Sequence, residues 1–303
     1  MTLLESLPPA SATWAMLPGG VDAFLVRGAS LKPLAVVTAG VHGDEYEGPA
    51  AVAQLARRLP AERIAGSVVA IPVANAMAWR AAQRISPVDG LNLARTFPGA
   101  ANGSPTERLA AAIFDVARRA DFLIDLHSGG VEYNFVPLAG FYGEPVAGNP
   151  SFDAARRFGL AYAWQLPPTK GVLSYECWKQ GITAVGCEYL GAGQLSETGV
   201  SEYVTGVLSC LAMSGIYPDG VALPPSGEVV TGDWMLASVE GVFRARCRLG
   251  DQVVAGHPLA EIHNERGDVR QCLAAQVSGR VLGLRSKAYI RAGDWGVLIG
   301  SDA

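Results

Sequence analysis

Histidine is scarce in this chain, with four residues in 303. Charge is scarce too, at 17% of residues, and nearly balanced: 24 Lys+Arg against 28 Asp+Glu, a formal net charge of −4. No Lys/Arg-rich run occurs, so the electrostatic footprint of a nucleic-acid binder is missing. The five cysteines, Cys177, Cys187, Cys210, Cys247 and Cys272, form no C-x-x-C pair. That argues against a cysteine zinc site and for reduced thiols. Mean hydropathy is positive, +0.22, yet no window approaches the ~20 uninterrupted apolar residues of a spanning helix. The opening stretch MTLLESLPPASATW has no basic start followed by a long apolar core, the mark of a secretory leader. The expectation is a cytoplasmic protein that engages neither membrane nor nucleic acid, with a homo-oligomer left open.

What is present points to a large buried core. Apolar residues make up 50% of the chain, which excludes disorder, and the length suits one large domain or two smaller ones. Pro18-Gly19-Gly20 reads as the turn of a short hairpin before VDAFLV. Leu34–Ala39 (LAVVTA) is a continuous apolar run of the kind expected for a strand buried on both faces. Residues 48–59 follow with helical spacing. Ser67–Val73, Asp121–Leu126 and Thr183–Cys187 read as further buried strands, and Ser104 as a cap before Pro105 of an amphipathic helix over 104–119. Apolar strands alternating with helices give an α/β fold, a mostly parallel mixed sheet flanked by helices.

The texture changes near residue 220. Pro218, Pro224, Pro225 and nearby glycines form a linker-like stretch, and short β-type segments with turns every ~8–12 residues follow. The division expected is a catalytic α/β domain over 1–222 and a small β-rich domain over 223–303. The repeated phrases of the latter resemble the halves of a lipoyl-type barrel-sandwich. Its only lysine, Lys287, lies in no recognisable carrier hairpin, so the module reads as inert.

Three features follow predicted strands, at the edge where open α/β sheets place their ligands. Gly40-Val-His42-Gly-Asp-Glu45 follows the first. Asp125-Leu-His127-Ser-Gly-Gly130 follows the third. Gly186-Cys-Glu188 closes the fourth. His42 and Glu45, three apart across a turn, can converge on one point. Two histidines and a carboxylate, with a second carboxylate apart, form the ligand set of a catalytic zinc site that keeps a position open for water. The remaining carboxylate would shuttle protons. Asp44 and Glu47 read as cap or surface residues beside the following helix. Asp125, two before His127, can orient a ligand or make a structural hydrogen bond. Tyr133, Tyr142 and Tyr175 read as aromatic packing.

With these motifs in place, the chain resembles the succinylglutamate desuccinylase/aspartoacylase family. The match is carried in order by His42-Gly-Asp-Glu45, by Arg84 with Asn92-Leu-Ala-Arg95 and Phe97-Pro-Gly99, and by Asp125-Leu-His127. HGDEYEGP, RISPVDGLNLARTFPG and HSGG look closest to the branch of N-acetyl-diaminobutyrate deacetylases. The resemblance implies a zinc-carboxypeptidase-like fold and one Zn2+ per chain, held by His42, Glu45 and His127. It implies Glu188 as general base, Arg84 as the group that polarises the scissile carbonyl, and Arg95 with Asn92 in substrate binding. Arg95 would grip a carboxylate through a forked contact that lysine cannot supply. The family phrase N-L-N-R reads Asn92-Leu93-Ala94-Arg95 here, and a lost hydrogen bond to a charged group is worth about 1.5–3 kcal/mol.

The expected reaction is hydrolysis of the N-acyl amide of a small acylated amino acid or related compound. A metallocarboxypeptidase acting on short peptides, or a homologue that binds zinc without turnover, is the alternative.

Overall fold

The structure is a computed structural model that describes residues 2–302. Helix α1 (Thr2–Ser6) precedes a hairpin of β1 (Ser11–Leu17) and β2 (Val21–Arg27), which turns at Pro18-Gly19-Gly20 as expected. The α/β body follows: β3 (Leu34–Ala39), α2 (Glu47–Arg58), β4 (Ser67–Ile71), α3 (Ala76–Ala81), α4 (Pro105–Ala117), β5 (Phe122–Leu126), β6 (Tyr133–Phe135) and β7 (Leu138–Phe141). Then come α5 (Pro150–Phe158), β8 (Tyr162–Gln165), α6 (Leu173–Trp178), β9 (Thr183–Glu188) and α7 (Glu197–Met213). The remainder is β10 (Glu228–Leu236), β11 (Gly241–Ala245), β12 (Gln252–Val253), β13 (Pro258–His263), β14 (Val269–Ala274), β15 (Gly279–Arg285), β16 (Tyr289–Ile290) and β17 (Trp295–Asp302).

The large sheet runs β1-β2-β4-β3-β5-β9-β7-β8-β10-β17-β15-β12, with β6 on β15. Its centre, β4-β3-β5-β9, is parallel, and β7 enters antiparallel to β9. All six residues of β3 are buried, because helices cover both faces. Ala35, Val37 and Ala39 belong to the apolar cluster that α2, α5 and α7 complete on one side, while Leu34 and Val36 belong to the one that α4 and α6 complete on the other. A strand packed on both faces needs an unbroken apolar run rather than alternation, which is what LAVVTA supplies. Helix α4 starts where the sequence marks it, with a reciprocal Ser104–Glu107 capping box ahead of Pro105.

Beyond the body, β11, β13, β14 and β16 form a four-stranded antiparallel sheet around a separate apolar cluster that includes Phe243, Leu259 and Ile262. This module is nevertheless stitched into the main sheet. Residues Glu228–Val230 of β10 pair parallel with Tyr162–Trp164 of β8, and β15 pairs with β6. Among the described residues, no helix is long and apolar enough to cross a membrane. Lys287 lies 3.5 Å from Glu132 across the junction.

Candidate metal centre and its cavity

Strands β3, β5 and β9 are neighbours, in register from Ala39–Leu126 to Leu126–Cys187. Their C-terminal ends therefore deliver His42, His127 and Glu188 to one edge. Gly40 makes the turn out of β3 at φ +61, where a Cβ would also strike the backbone of Pro72 and Val73.

Three of the expected side chains meet. The ligand atoms of His42, Glu45 and His127 all lie within 4.8 Å of one another. His42 Nδ1 is 2.7 Å from Glu45 Oε1, and His127 Nδ1 is 3.1 Å from Glu45 Oε2. The far nitrogen of each ring is held from behind: His42 Nε2 lies 3.0 Å from Asn92 Oδ1, and His127 Nε2 3.1 Å from Asp125 Oδ2. Thr38 Oγ1 donates to the other oxygen of Asp125 at 2.6 Å, and Tyr203 of α7 donates to the His127 carbonyl at 2.5 Å. Two imidazoles presenting Nδ1 beside a carboxylate, each oriented by an outer hydrogen-bond partner, fit a divalent metal ion.

The electrostatics agree. Burial, then the positive charge of Arg84, lowers His42 to about 4, so the ring is neutral and free to ligate. Burial would raise Glu45, but the two histidines outweigh it and hold the carboxylate well below its usual range. Burial also depresses His127, and the carboxylates of Asp125 and Glu45 more than reverse this. A bound cation would displace that proton.

Arg84 Nη1 donates to Glu45 Oε1 at 3.0 Å, and its guanidinium lies over the Tyr133 ring. Arg95 is exposed, donates to the Ala94 carbonyl and sits over the Trp295 ring, 5.7 Å from its centroid. Both arginines, Ala94, His42, His127 and Glu188 line a single cavity of about 280 Å³. Glu188 Oε2 is buried there with no hydrogen-bond partner. Burial, then the negative charge of Glu45, pushes this carboxyl up to about 8.

Asn92 sits behind the metal group. Its Oδ1 accepts from Ala94 N at 2.9 Å, capping the 3-10 turn Leu93–Arg95, and the same atom meets His42. Asn92→Ala is expected to lower metal affinity about 10–100-fold, with the ligands themselves intact; competition with a chelator of known affinity measures it. Asp44 and Glu47, read from sequence as cap or surface residues, are instead buried. Asp44 accepts from Val131 N at 2.9 Å and Glu47 from Ser196 N at 3.0 Å, so both pin loops around the site. Tyr142, read as packing, lines the cavity with its hydroxyl 3.0 Å from Ser174 Oγ.

The resemblance implies that the C-terminal module narrows the entrance, but the sequence reading named neither of the tryptophans that it supplies to the cavity wall. Trp234 of β10 and Trp295 of β17 stack at 4.9 Å and 9°, and both line the cavity. Tyr133, the first residue of β6, packs on both indoles and is held by pairing with Arg285 of β15. The only available cue was the placement of each Trp beside a turn or Gly-Asp pair.

Residues 32–214 match the family model described as the succinylglutamate desuccinylase/aspartoacylase catalytic domain. The chain belongs to that family. It is 29% identical over 242 residues to the N-alpha-acetyl-L-2,4-diaminobutyric acid deacetylase of Halomonas elongata, covering 77% of this chain and 71% of that one. Among solved structures, the product-bound ectoine utilization protein EutE (DoeB) of Ruegeria pomeroyi superposes with a TM-score of 0.83 at 27% identity, over 92% of this chain and 88% of that one. A succinylglutamate desuccinylase/aspartoacylase of Rhodobacter sphaeroides gives 0.85 at 26% identity, over 97% and 96%. The mixed α/β fold with its β module is thus the fold of these relatives.

Proposed function

We propose that the protein is a zinc-dependent deacylase that hydrolyses the N-acyl amide bond of a small acylated amino acid or related compound. One observation carries the reading: Glu188, whose buried Oε2 has no hydrogen-bond partner, lines the same cavity as His42 and His127. The Halomonas relative, named as a deacetylase of an acylated diamino acid, supports the reaction class. With a net charge of −4 and no basic run, the reading is of a small-molecule substrate in a cytoplasmic enzyme.

Zinc held by His42, Glu45 and His127 would supply the Lewis acid that activates water and polarises the scissile carbonyl. Glu188 takes the proton of the attacking water and returns it to the amine nitrogen as the C–N bond breaks. Its raised affinity for protons suits both halves of that task. Arg84 donates hydrogen bonds to the carbonyl oxygen as negative charge grows there. Arg95 anchors the anionic part of the substrate, and Ala94 contributes no amide beside it. Trp234 and Trp295, stacked in the cavity wall, narrow the space that a peptide chain would need.

The test is a panel of N-acetyl amino acids against short peptides, with free amine as the readout. Release from the acylated amino acids is expected, abolished by chelation and restored by zinc. Faster trimming of peptides would replace this reading with the carboxypeptidase one.

A further inference from the structure

The cavity is chemically divided. Charge gathers around Arg84, Arg95 and Glu188, beside the metal ligands. The same lining includes six uncharged residues that bound a recess: Tyr142, Trp164, Leu166, Val172, Ser174 and Gly186. Gly186 forms its floor. A Cβ added there would lie 3.4 Å from Ser174 Oγ and 3.5 Å from Leu166 Cδ1, so the absent side chain leaves room in front of Glu188, two residues along the same strand face. The hydroxyls of Tyr142 and Ser174 satisfy one another at 3.0 Å. The other acidic lining residue, Asp233, is exposed on β10 and keeps its hydration, outside the six residues of the recess.

A charged side chain placed against these six residues would lose hydration to a wall that carries no charge of its own, which is costly. An aliphatic or aromatic one would exchange water for apolar wall. The names of the relatives carry glutamate and diaminobutyric acid, whose side chains are charged. Neither suits this wall.

Resting on the deacylase reading above, we infer that the recess between Gly186, Leu166 and Ser174 receives the side chain of the amino acid, and that the substrates are N-acyl derivatives of neutral, apolar amino acids of about leucine size. Arg95 takes their carboxylate.

The experiment has a turnover arm and a binding arm. Zinc-loaded wild type is assayed with N-acetyl-leucine, N-acetylglycine, N-acetyl-aspartate and Nα-acetyl-2,4-diaminobutyrate. N-acetyl-leucine is expected to exceed both charged compounds in kcat/KM by about 100-fold or more, given that one methylene in an apolar pocket is already worth about 10–200-fold. Gly186→Ala, whose methyl fits at ordinary contact distance, should cut the leucine-to-glycine ratio about tenfold. In the binding arm, zinc-loaded Glu188→Gln is titrated with the same compounds, read by the fluorescence of Trp164, Trp234 and Trp295. N-acetyl-leucine should bind most tightly. A charged compound bound or cleaved as well as N-acetyl-leucine overturns the inference, as does an unchanged ratio in Gly186→Ala. Preferential binding of N-acetyl-leucine with no cleavage of any compound supports the recess and sinks the deacylase reading instead. Neither cleavage nor preference in binding removes both.

Discussion

Glu188→Gln is expected to keep its metal and to lose turnover by about 10²–10⁴-fold, the range that a positioned acid–base group contributes. Glutamine preserves shape and neutrality in the half-buried position at the end of β9 but cannot take the proton of water. KM should change far less than kcat, since Arg95 and the cavity walls are untouched. A Glu188→Gln protein with wild-type kcat would remove this residue from the base role. A second signature belongs to the metal-free protein. There the Glu188 carboxyl is pushed up to about 8 from an ordinary 4.5, so the fold binds this proton more tightly than the unfolded chain does. That contribution to stability is fully present below pH 4.5 and disappears as pH rises through about 8. Glutamine never releases a proton. The Tm of metal-free Glu188→Gln should therefore gain on that of metal-free wild type between pH 5 and pH 9. A constant difference across that range would mean an ordinary carboxylate.

Glu45→Ala is expected to remove both metal and activity. Its two oxygens meet His42, His127, Arg84 and the backbone N–H of Ser128, so a single truncation deprives a metal of one ligand and leaves Arg84 without its carboxylate. Loss of Lewis-acid assistance is worth several kcal/mol, about a thousandfold or more in rate. Metal analysis of the purified variant should find well under one equivalent. Retention of a full equivalent with high turnover would show that the metal sits elsewhere. Removing one partner from a buried charged pair also destabilises the remainder, so the thermal transition should fall as well, a separate readout of the same contact.

The parts of this arrangement that could be read from sequence are those set by local rules. LAVVTA announces a doubly covered strand, Ser104-Pro-Thr-Glu107 announces a helix start, and three chemistry-bearing groups stand after strands that a parallel sheet brings side by side. The inaccessible parts depend on contacts distant in the chain. Helix α7 carries Gly199, Gly206 and Ser209 among its buried positions, so no clean amphipathic stripe marks it, although its Tyr203 supports His127. The pairing of β10 with β8 joins segments 66 residues apart (Glu228 with Tyr162), and nothing local in either strand specifies the other. That pairing carries Trp234 into the cavity wall. Asn92 stood in a legible motif, yet its place behind His42 is a contact between residues 50 apart in the chain. Asp44 and Glu47 misled because charged residues flanking a helix start are usually solvated; here both accept backbone N–H groups from loops more than 80 residues away.

The central claim is that His42, Glu45 and His127 hold one catalytic metal ion beside Glu188. Zinc titration of metal-free wild type, with amine release from an N-acetyl amino acid followed at each addition, tests it most directly. Activity should rise linearly and stop at one equivalent, while Glu188→Gln takes up the same equivalent and stays inactive. Full activity before any zinc is added, or an equally active Glu188→Gln, would contradict it.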